Sequence, residues 1–339
     1  MRRNNLAVLN DTTLEELEIT LDLHTRELVP PSPYTAFSWS VTRHAMLEEC
    51  PRRYYLNYYG SRRVREARSR IVSAVWWLKQ VRSARMWIGS VIHIVAAEAA
   101  AALRDGRELG RETVVNLALD VFRAGVEASR RGAKLDGEWV VLAEHVYPDA
   151  PPSVDPVEAE AFVARLANSL LDSDAYGRLR AAPEAIAEID PKYQSFDLTG
   201  VAGHGTVRVF AIPDVLLYDP AAPAVRIIDW KTGGTDRESI RTQAGIYRLY
   251  AGRAYDVPEE AVTFEIADLA GSGRSIPSPG EPLSAKEAEA FVRESIYNMT
   301  ARMENIRSNT VSIRHFPMTS DRSICASCGF RRACWREDA

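Results

Sequence analysis

The four cysteines of this chain fall into a one-plus-three layout. Cys50 stands alone near the start, while Cys325, Cys328 and Cys334 crowd the end with the spacing C-x2-C-x5-C. Three thiolates that close in sequence can face one centre, and Cys50 remains to complete a set of four. Such a site ties the two ends of the domain together, so the chain between them must be a closed excursion whose ends meet. Zinc and a 4Fe-4S cluster both accept four thiolates. Structural zinc usually draws its ligands as two close pairs, so three ligands from one loop suit a cubane better. Two disulfides would need an oxidising compartment. Met1-Arg2-Arg3 leads into polar Asn and Asp with no apolar signal core, so a cytoplasmic location is expected.

Composition bounds the rest. At 339 residues the chain can bury a sizeable core. Its longest apolar stretches, such as 91–103, are interrupted by His93 and Glu98, so no membrane span is expected. The net charge of −4 excludes a polycation, and any nucleic-acid surface must be local. One candidate is the arginine run Arg62, Arg63, Arg65, Arg68 and Arg70; its plain reading is a solvated face. Only five lysines are present, so a functional lysine stands out.

Along the chain, residues 1–35 are polar, close on a proline-rich stretch and read as a flexible arm. Helical patterns are expected over 38–59, 86–104, 111–130, 137–147 and 155–177. Near residue 184 the texture changes to short β-type runs at 186–190, 207–212, 215–218 and 225–229. A helix over 235–255, a strand over 262–267 and a helix over 284–307 follow. The expected organisation is an arm (1–35), a helical region (36–183) and an α/β core (184–339) with a sheet of about five strands.

The sheet carries the candidate chemistry. Asp214 lies between two β runs, and Asp229-Trp230-Lys231 ends the next strand. Period-two alternation puts Asp229 and Lys231 on one side. Paired carboxylates suit Mg²⁺ or Mn²⁺, hard cations that prefer oxygen. A neighbouring lysine can stabilise charge on a phosphate undergoing hydrolysis. Alone, D-x-K is as readily an ion pair at a strand end.

The surrounding motifs resemble the PD-(D/E)XK nuclease superfamily, in its RecB-like branch. Ile212-Pro213-Asp214 looks like the aspartate motif, and Ile228-Asp229-Trp230-Lys231-Thr232 like the D-x-K-T strand. Gln243 to Tyr247 is similar to Q-x-x-x-Y, Gly89 to His93 to the upstream G-x-x-x-H, and Cys50-Pro51-Arg52-Arg53-Tyr54 to C-P-x-x-[FY], preceded by Ser38 and Ser40. The cysteine layout is that of iron–sulfur members such as the AddB nuclease domain and the RecB-like nucleases of CRISPR adaptation. The resemblance implies a restriction-endonuclease-like α/β core with a divalent metal on His93, Asp214 and Asp229. It makes Lys231, Gln243 and Tyr247 catalytic partners and puts a 4Fe-4S cluster on Cys50, Cys325, Cys328 and Cys334. It also implies DNA as substrate, acted on by an exonuclease or a trimmer of single strands and ends, and a helicase or defence-complex partner in DNA repair or anti-phage defence. Ala211 stands where the family often has glycine, and the stretch 105–183 is longer than in the smallest members.

Some readings stay open. A non-catalytic iron–sulfur subunit that binds DNA or acts as a scaffold fits the same layout. A zinc deaminase does not, since no H-x-E accompanies the cysteines. Arg52 and Arg53 beside Tyr54 and Tyr55 suit either single-strand binding or packing round a cluster. Glu188 is either an outer acid of the site or a solvated strand residue. The remaining histidines read as structural.

Overall fold

The computed structural model describes residues 8–27, 36–62, 69–234, 237–271, 275–277 and 282–334. Its centre is a five-stranded mixed sheet. In spatial order the strands are Ser275–Pro277, Val262–Asp268, Ala224–Lys231, Val215–Asp219 and Ile186–Ile189. Ala224–Lys231 pairs antiparallel with Val215–Asp219 and parallel with Val262–Asp268. The antiparallel pair needs only a tight turn, in which Asp219 Oδ1 accepts the Ala221 N–H at 2.8 Å. The parallel pair needs a crossover, and the Arg237–Tyr255 helix supplies it. Val225, Ile227, Ile228 and Trp230 are all buried, as a strand covered on both faces requires.

One face of this sheet carries the Ala84–Arg104 helix. Ser83 caps it, accepting the Met86 N–H at 3.2 Å. Ile88, Val91, Ile92 and Val95 are fully buried, in one apolar cluster with Val215, Ile228 and Trp230. Among the described residues this is the one helix long and apolar enough to cross a membrane, but that apolar side is occupied by the sheet. The helices Arg111–Arg131 and Ala159–Asp172 pack on it from outside. The second apolar cluster lies under the crossover helix and the Ala285–Thr300 helix, and includes Tyr54, Tyr55, Tyr59, Val292 and Phe316. Both clusters draw on residues from either side of position 184.

The α/β class follows the sequence expectation, but the run at 207–212 forms the strand Gly205–Phe210 of a separate three-stranded sheet with Ser38–Trp39 and Ser195–Val201, and Ser275–Pro277 takes the fifth place in the central sheet. Several boundaries also differ for identifiable reasons. Within the expected arm, Val8–Asp11 and Leu14–Glu27 are helical, and Leu17 and Leu21 are buried. Thr25 and Tyr55 hydroxyls meet there, and Tyr55 also donates to Leu21 O at 2.8 Å. Polar Asp22, His24 and Thr25 share the buried face while Ile19 and Leu23 are exposed, so the helix shows no clean apolar stripe that would announce the anchoring. Residues 137–147 hold the short strands Glu138–Trp139 and Val141–Leu142, and only Ala143–Val146 is helical. Gly137 at φ 84° makes the hairpin turn that precedes them. Extended backbone at Ser173 splits the helix expected over 155–177. Extended Cys50 followed by Pro51 splits the one expected over 38–59. The hairpin strand Ser195–Val201, broken up by Asp197 and Gly200, has too weak an alternation to read from sequence.

Gly125 measures how tightly the helical layer is packed. A Cβ built there would stand 2.2 Å from the Trp87 ring, and that ring is fixed by its Nε1–H bond to Phe122 O at 3.2 Å. Gly125→Ala should therefore lower stability by about 1–3 kcal/mol, seen as an earlier denaturant midpoint with an unchanged slope.

Candidate active site

The sheet's topology brings the predicted residues together. Asp214 immediately precedes the strand Val215–Asp219, and Asp229 and Lys231 end its neighbour. The Trp230 N–H donates to Asp214 Oδ2 at 2.7 Å, and the Asp190 N–H donates to the Asp214 carbonyl at 2.8 Å. Asp214 is thus clamped between two strands by backbone donors, a role for Trp230 and Asp190 that no side-chain motif announces. Its other oxygen, Oδ1, meets His93 Nδ1 at 3.0 Å. A carboxylate cannot donate, so Nδ1 carries the proton and Nε2 keeps its lone pair.

Gly89 explains how the His93 helix comes so close. A Cβ at that position would lie 3.1 Å from Thr232 Oγ1, just beyond Lys231. The glycine lets the helix descend onto the strand end and carry His93, one turn on, to Asp214. His93 and Gly89 line a cleft of about 710 Å³ together with Asp190 and Thr232.

On the other side, Gln243 joins the remaining groups. Its Nε2 donates to Asp229 Oδ1 and to the Tyr247 hydroxyl, each at 3.1 Å. Its Oε1 accepts from Lys231 Nζ at 3.2 Å. The Tyr247 hydroxyl donates to Ile212 O at 2.7 Å. Burial, then the charges of Asp229 and Asp214, pushes the Tyr247 phenol well up, so it remains a donor. Tyr247 therefore positions the loop leading to Asp214, and its bond to Gln243 fixes which way that amide faces. Lys231 Nζ also lies 2.5 Å from Asp229 Oδ2. That oxygen is buried and has no other partner among the described residues.

Electrostatics make this a site under tension. Burial, reinforced by the charge of Asp214 and opposed by Lys231, pushes the Asp229 carboxyl up to about 6. Burial disfavours the His93 imidazolium, but the hydrogen bond and charge of Asp214, with Asp229 behind it, more than offset this and raise its pKa. Asp214 is bonded to the His93 imidazole, and Asp229 is paired with the Lys231 ammonium. Among the described residues no three His, Cys, Asp or Glu side chains close round one point at ion distance. The donor set nonetheless suits a hard divalent cation, since two carboxylates and an imidazole lie close together and Asp229 Oδ2 faces only the Lys231 ammonium.

Other predicted residues fall elsewhere. Glu188 Oε1 accepts from the hydroxyls of Tyr250 and Tyr255, each at 2.6 Å; no contact joins it to the Asp214–Asp229 pair. Arg52 is buried, donating from Nε to Phe316 O at 2.8 Å and pairing with Glu18 at 2.5 Å. Tyr54 and Tyr55 are buried and lie against Phe316. Arg52, Tyr54 and Tyr55 therefore knit the ends of the chain together and present nothing to a nucleic acid. Of the arginine run, Arg63, Arg65 and Arg68 lie outside the described residues.

None of the four cysteines is in a disulfide. Cys50 is buried and its Sγ accepts the Arg53 N–H at 3.4 Å; Cys328 Sγ accepts the Phe330 N–H at 3.4 Å. The four lie within electrostatic reach of each other. Burial, then the neighbouring thiols of Cys328, Cys50 and Cys325, raises the Cys334 thiol against the opposing charge of Arg52.

The fold is that of a known class. The profile of the PD-(D/E)XK nuclease superfamily matches residues 38–335, nearly the whole chain, and the chain belongs to that superfamily. Its members are generally hydrolases that use divalent metals such as Mg²⁺ and bind DNA, though some are inactive. A search of curated proteins gives no match to this chain.

The electrostatic tension is testable. A carboxyl whose pKa is raised on folding stabilises the fold below its unfolded value and loses that stabilisation as pH rises through its folded value. In EDTA, stability should therefore fall between about pH 4 and about pH 6 as Asp229 ionises beside Asp214. Thermal melts in EDTA across this range check the slope. Adding Mg²⁺ or Mn²⁺ should raise the melting temperature most at the alkaline end, where both carboxylates are charged.

Proposed function

We propose that this protein is a divalent-metal-dependent deoxyribonuclease that trims single strands or DNA ends. The observation that carries this is the Gln243 junction. One amide holds Lys231 and Asp229 in a single hydrogen-bonded unit, and His93 is docked on Asp214 across the strand end. The hydrolysis joins a water oxygen to phosphorus and breaks the ester P–O bond, with the leaving oxygen taking up a proton. His93, Asp214 and Asp229 would hold the metal, which when bound lowers the pKa of water and neutralises phosphate charge. Lys231 brings a positive charge to the phosphoryl oxygens, where negative charge builds up. Gln243 aims the lysine, and Tyr247 fixes Gln243. His93 keeps Nε2 unprotonated only while Asp214 holds the Nδ1 proton.

The setting we propose is cytoplasmic DNA repair or anti-phage defence, with a helicase or defence-complex protein as partner. That part rests on the resemblance of the motifs to RecB-like nucleases. A non-catalytic subunit would be expected to have lost one of Asp214, Asp229 and Lys231, and all three are present.

The site should be tested with purified protein on end-labelled single and double strands. EDTA should abolish cleavage, and Mg²⁺ or Mn²⁺ should restore it. Lys231→Ala should slow cleavage by ~10²–10³-fold. Asp214→Ala and Asp229→Ala should cost more, because the metal is lost or misplaced. Joining Lys231→Ala to Asp229→Ala should add little to Asp229→Ala alone, since both act in one unit. Wild-type rates in both single variants would place any activity elsewhere; no cleavage by the wild-type protein with Mn²⁺ would favour the scaffolding reading.

The four cysteines complete the proposal as ligands of a 4Fe-4S cluster. Support comes from their one-plus-three layout, the absence of a disulfide among them, and the backbone N–H bonds that Cys50 and Cys328 accept, although among the described residues the thiols do not close into a metal-binding group. A single zinc ion would need all four sulfurs within about 2.3 Å of one point, whereas a multi-iron group accommodates sulfurs set further apart. The cluster would close a loop of about 275 residues, which by chain entropy is worth roughly 5–6 kcal/mol. Anaerobically purified protein should be brown and contain iron, with visible absorbance that bleaches on reduction. Cys50→Ala should unfold far more readily. About one zinc and no iron per chain would refute the cluster.

A further inference from the structure

A second cleft opens on the Gln243 side of the active site, and its chemistry differs from that of the His93 cleft. It has a volume of about 740 Å³. Gln243 and Tyr247 form one end, and Arg43, Arg62 and Lys79 line the wall. The three cations come from separate parts of the chain and gather on two tyrosines. The Arg43 guanidinium lies 4.3 Å from the Tyr58 ring centre, Lys79 Nζ lies 5.9 Å from the same ring, and Arg62 lies 4.4 Å from Tyr59.

Among the described residues no carboxylate forms an ion pair with any of them. Arg43 is only 6% exposed, and its Nε is buried without a partner, although its Nη atoms bond Ser38 and the Tyr54 hydroxyl. Lys79 has Arg62 and Arg43 as its charged neighbours, and burial together with their repulsion lowers its pKa. Burial and Arg43 also lower that of Arg62, against the opposing pull of Tyr59. Lys79 is nonetheless exposed and Arg62 half-buried, so their charges face the cleft, where an anion supplied from outside can meet them.

We infer that Arg43, Arg62 and Lys79 form a phosphate-binding site, distinct from the metal centre, that holds the DNA strand at a fixed spacing from the bond to be cut. This rests on the deoxyribonuclease reading. A phosphate oxygen can accept from guanidinium and ammonium donors together. Because Gln243 belongs both to this cleft and to the Lys231–Asp229 junction, a strand seated here leads directly to the site of cleavage.

The experiment measures binding of a labelled single-stranded oligodeoxynucleotide by fluorescence anisotropy, in EDTA and over a range of salt. Cleavage plays no part in that readout, so failure of the nuclease reading appears separately, as inactivity of the wild-type protein with Mn²⁺. Lys79→Gln and Arg62→Gln should each weaken binding several-fold and together by about tenfold or more. Each should make the slope of log affinity against log salt shallower by about 0.7. Lys79→Arg should keep the wild-type slope. Melting temperatures of both Gln variants should stay close to the wild-type value, since neither side chain is buried. Oligonucleotides with and without a terminal phosphate separate two sources of the anion. Equal losses on both indicate a backbone phosphodiester, and losses confined to the phosphorylated strand indicate a strand end. Unchanged affinity and slope in folded Gln variants would overturn the site.

Discussion

The parallel pairing of Ala224–Lys231 with Val262–Asp268 is the constraint on which the site depends. Two parallel neighbours cannot be joined by a tight turn, so the chain must leave the sheet and return along one face. The returning segment here is the Arg237–Tyr255 helix, and its course over the sheet puts Gln243 above the strand end that carries Asp229 and Lys231. Pairing of Ala224–Lys231 on its other side, with Val215–Asp219, brings Asp214 beside the same end. Three segments distant in sequence thus meet because one strand has a parallel neighbour on one side and an antiparallel neighbour on the other. The Ala84–Arg104 helix then needs only a small residue at position 89 to bring His93 to the same spot.

Within that frame the chemistry is a balance of charges that the fold leaves unresolved. Asp229 is buried next to Asp214, and like charges so placed favour a bound proton on one of them. His93 and Lys231 relieve this, one on each carboxylate. A divalent cation would relieve it more completely and would free Lys231 to face the substrate. The tyrosine cleft holds the opposite imbalance, an excess of positive charge with no acid in contact among the described residues. A phosphodiester lying across both places would bring negative charge to the cleft and receive positive charge at the cleavage site. The two charge distributions are complementary to one ligand.

Much of the site was legible in the sequence because its residues sit on regular elements. Alternation alone put Asp229 beside Lys231, and four-residue spacing put Gln243 and Tyr247 on one helix face. What sequence could not show is how those groups are held. The clamp on Asp214 comes from the backbone N–H groups of Trp230 and Asp190, and every residue but proline has one. The cation group of Arg43, Arg62 and Lys79 is assembled by tertiary packing from three separate segments, so no spacing betrays it. The run Arg52-Arg53-Tyr54-Tyr55 suits either a nucleic-acid surface or packing, and sequence alone does not choose between them. Extended backbone at Cys50 and the helix beginning at Pro51 turn Arg52, Tyr54 and Tyr55 inward on Phe316.

That inward turn also bears on the cysteines. Arg52 reaches both Glu18 near the start of the chain and Phe316 near its end, while Tyr54, Tyr55 and Tyr59 surround the Phe316 ring. The two ends are therefore joined by packing and hydrogen bonds before any ligand joins the thiols. A cluster at Cys50, Cys325, Cys328 and Cys334 would bind a frame already assembled on one side, and most of its loop-closure entropy would already be spent by the Phe316 contacts. On this argument the chain-entropy figure is an upper bound for the cluster's own contribution, and the aromatic seal and the thiol site should couple. Loosening the seal at Phe316 would make the cluster more easily lost, and losing the cluster would leave the seal as the main contact holding the last segment against the core.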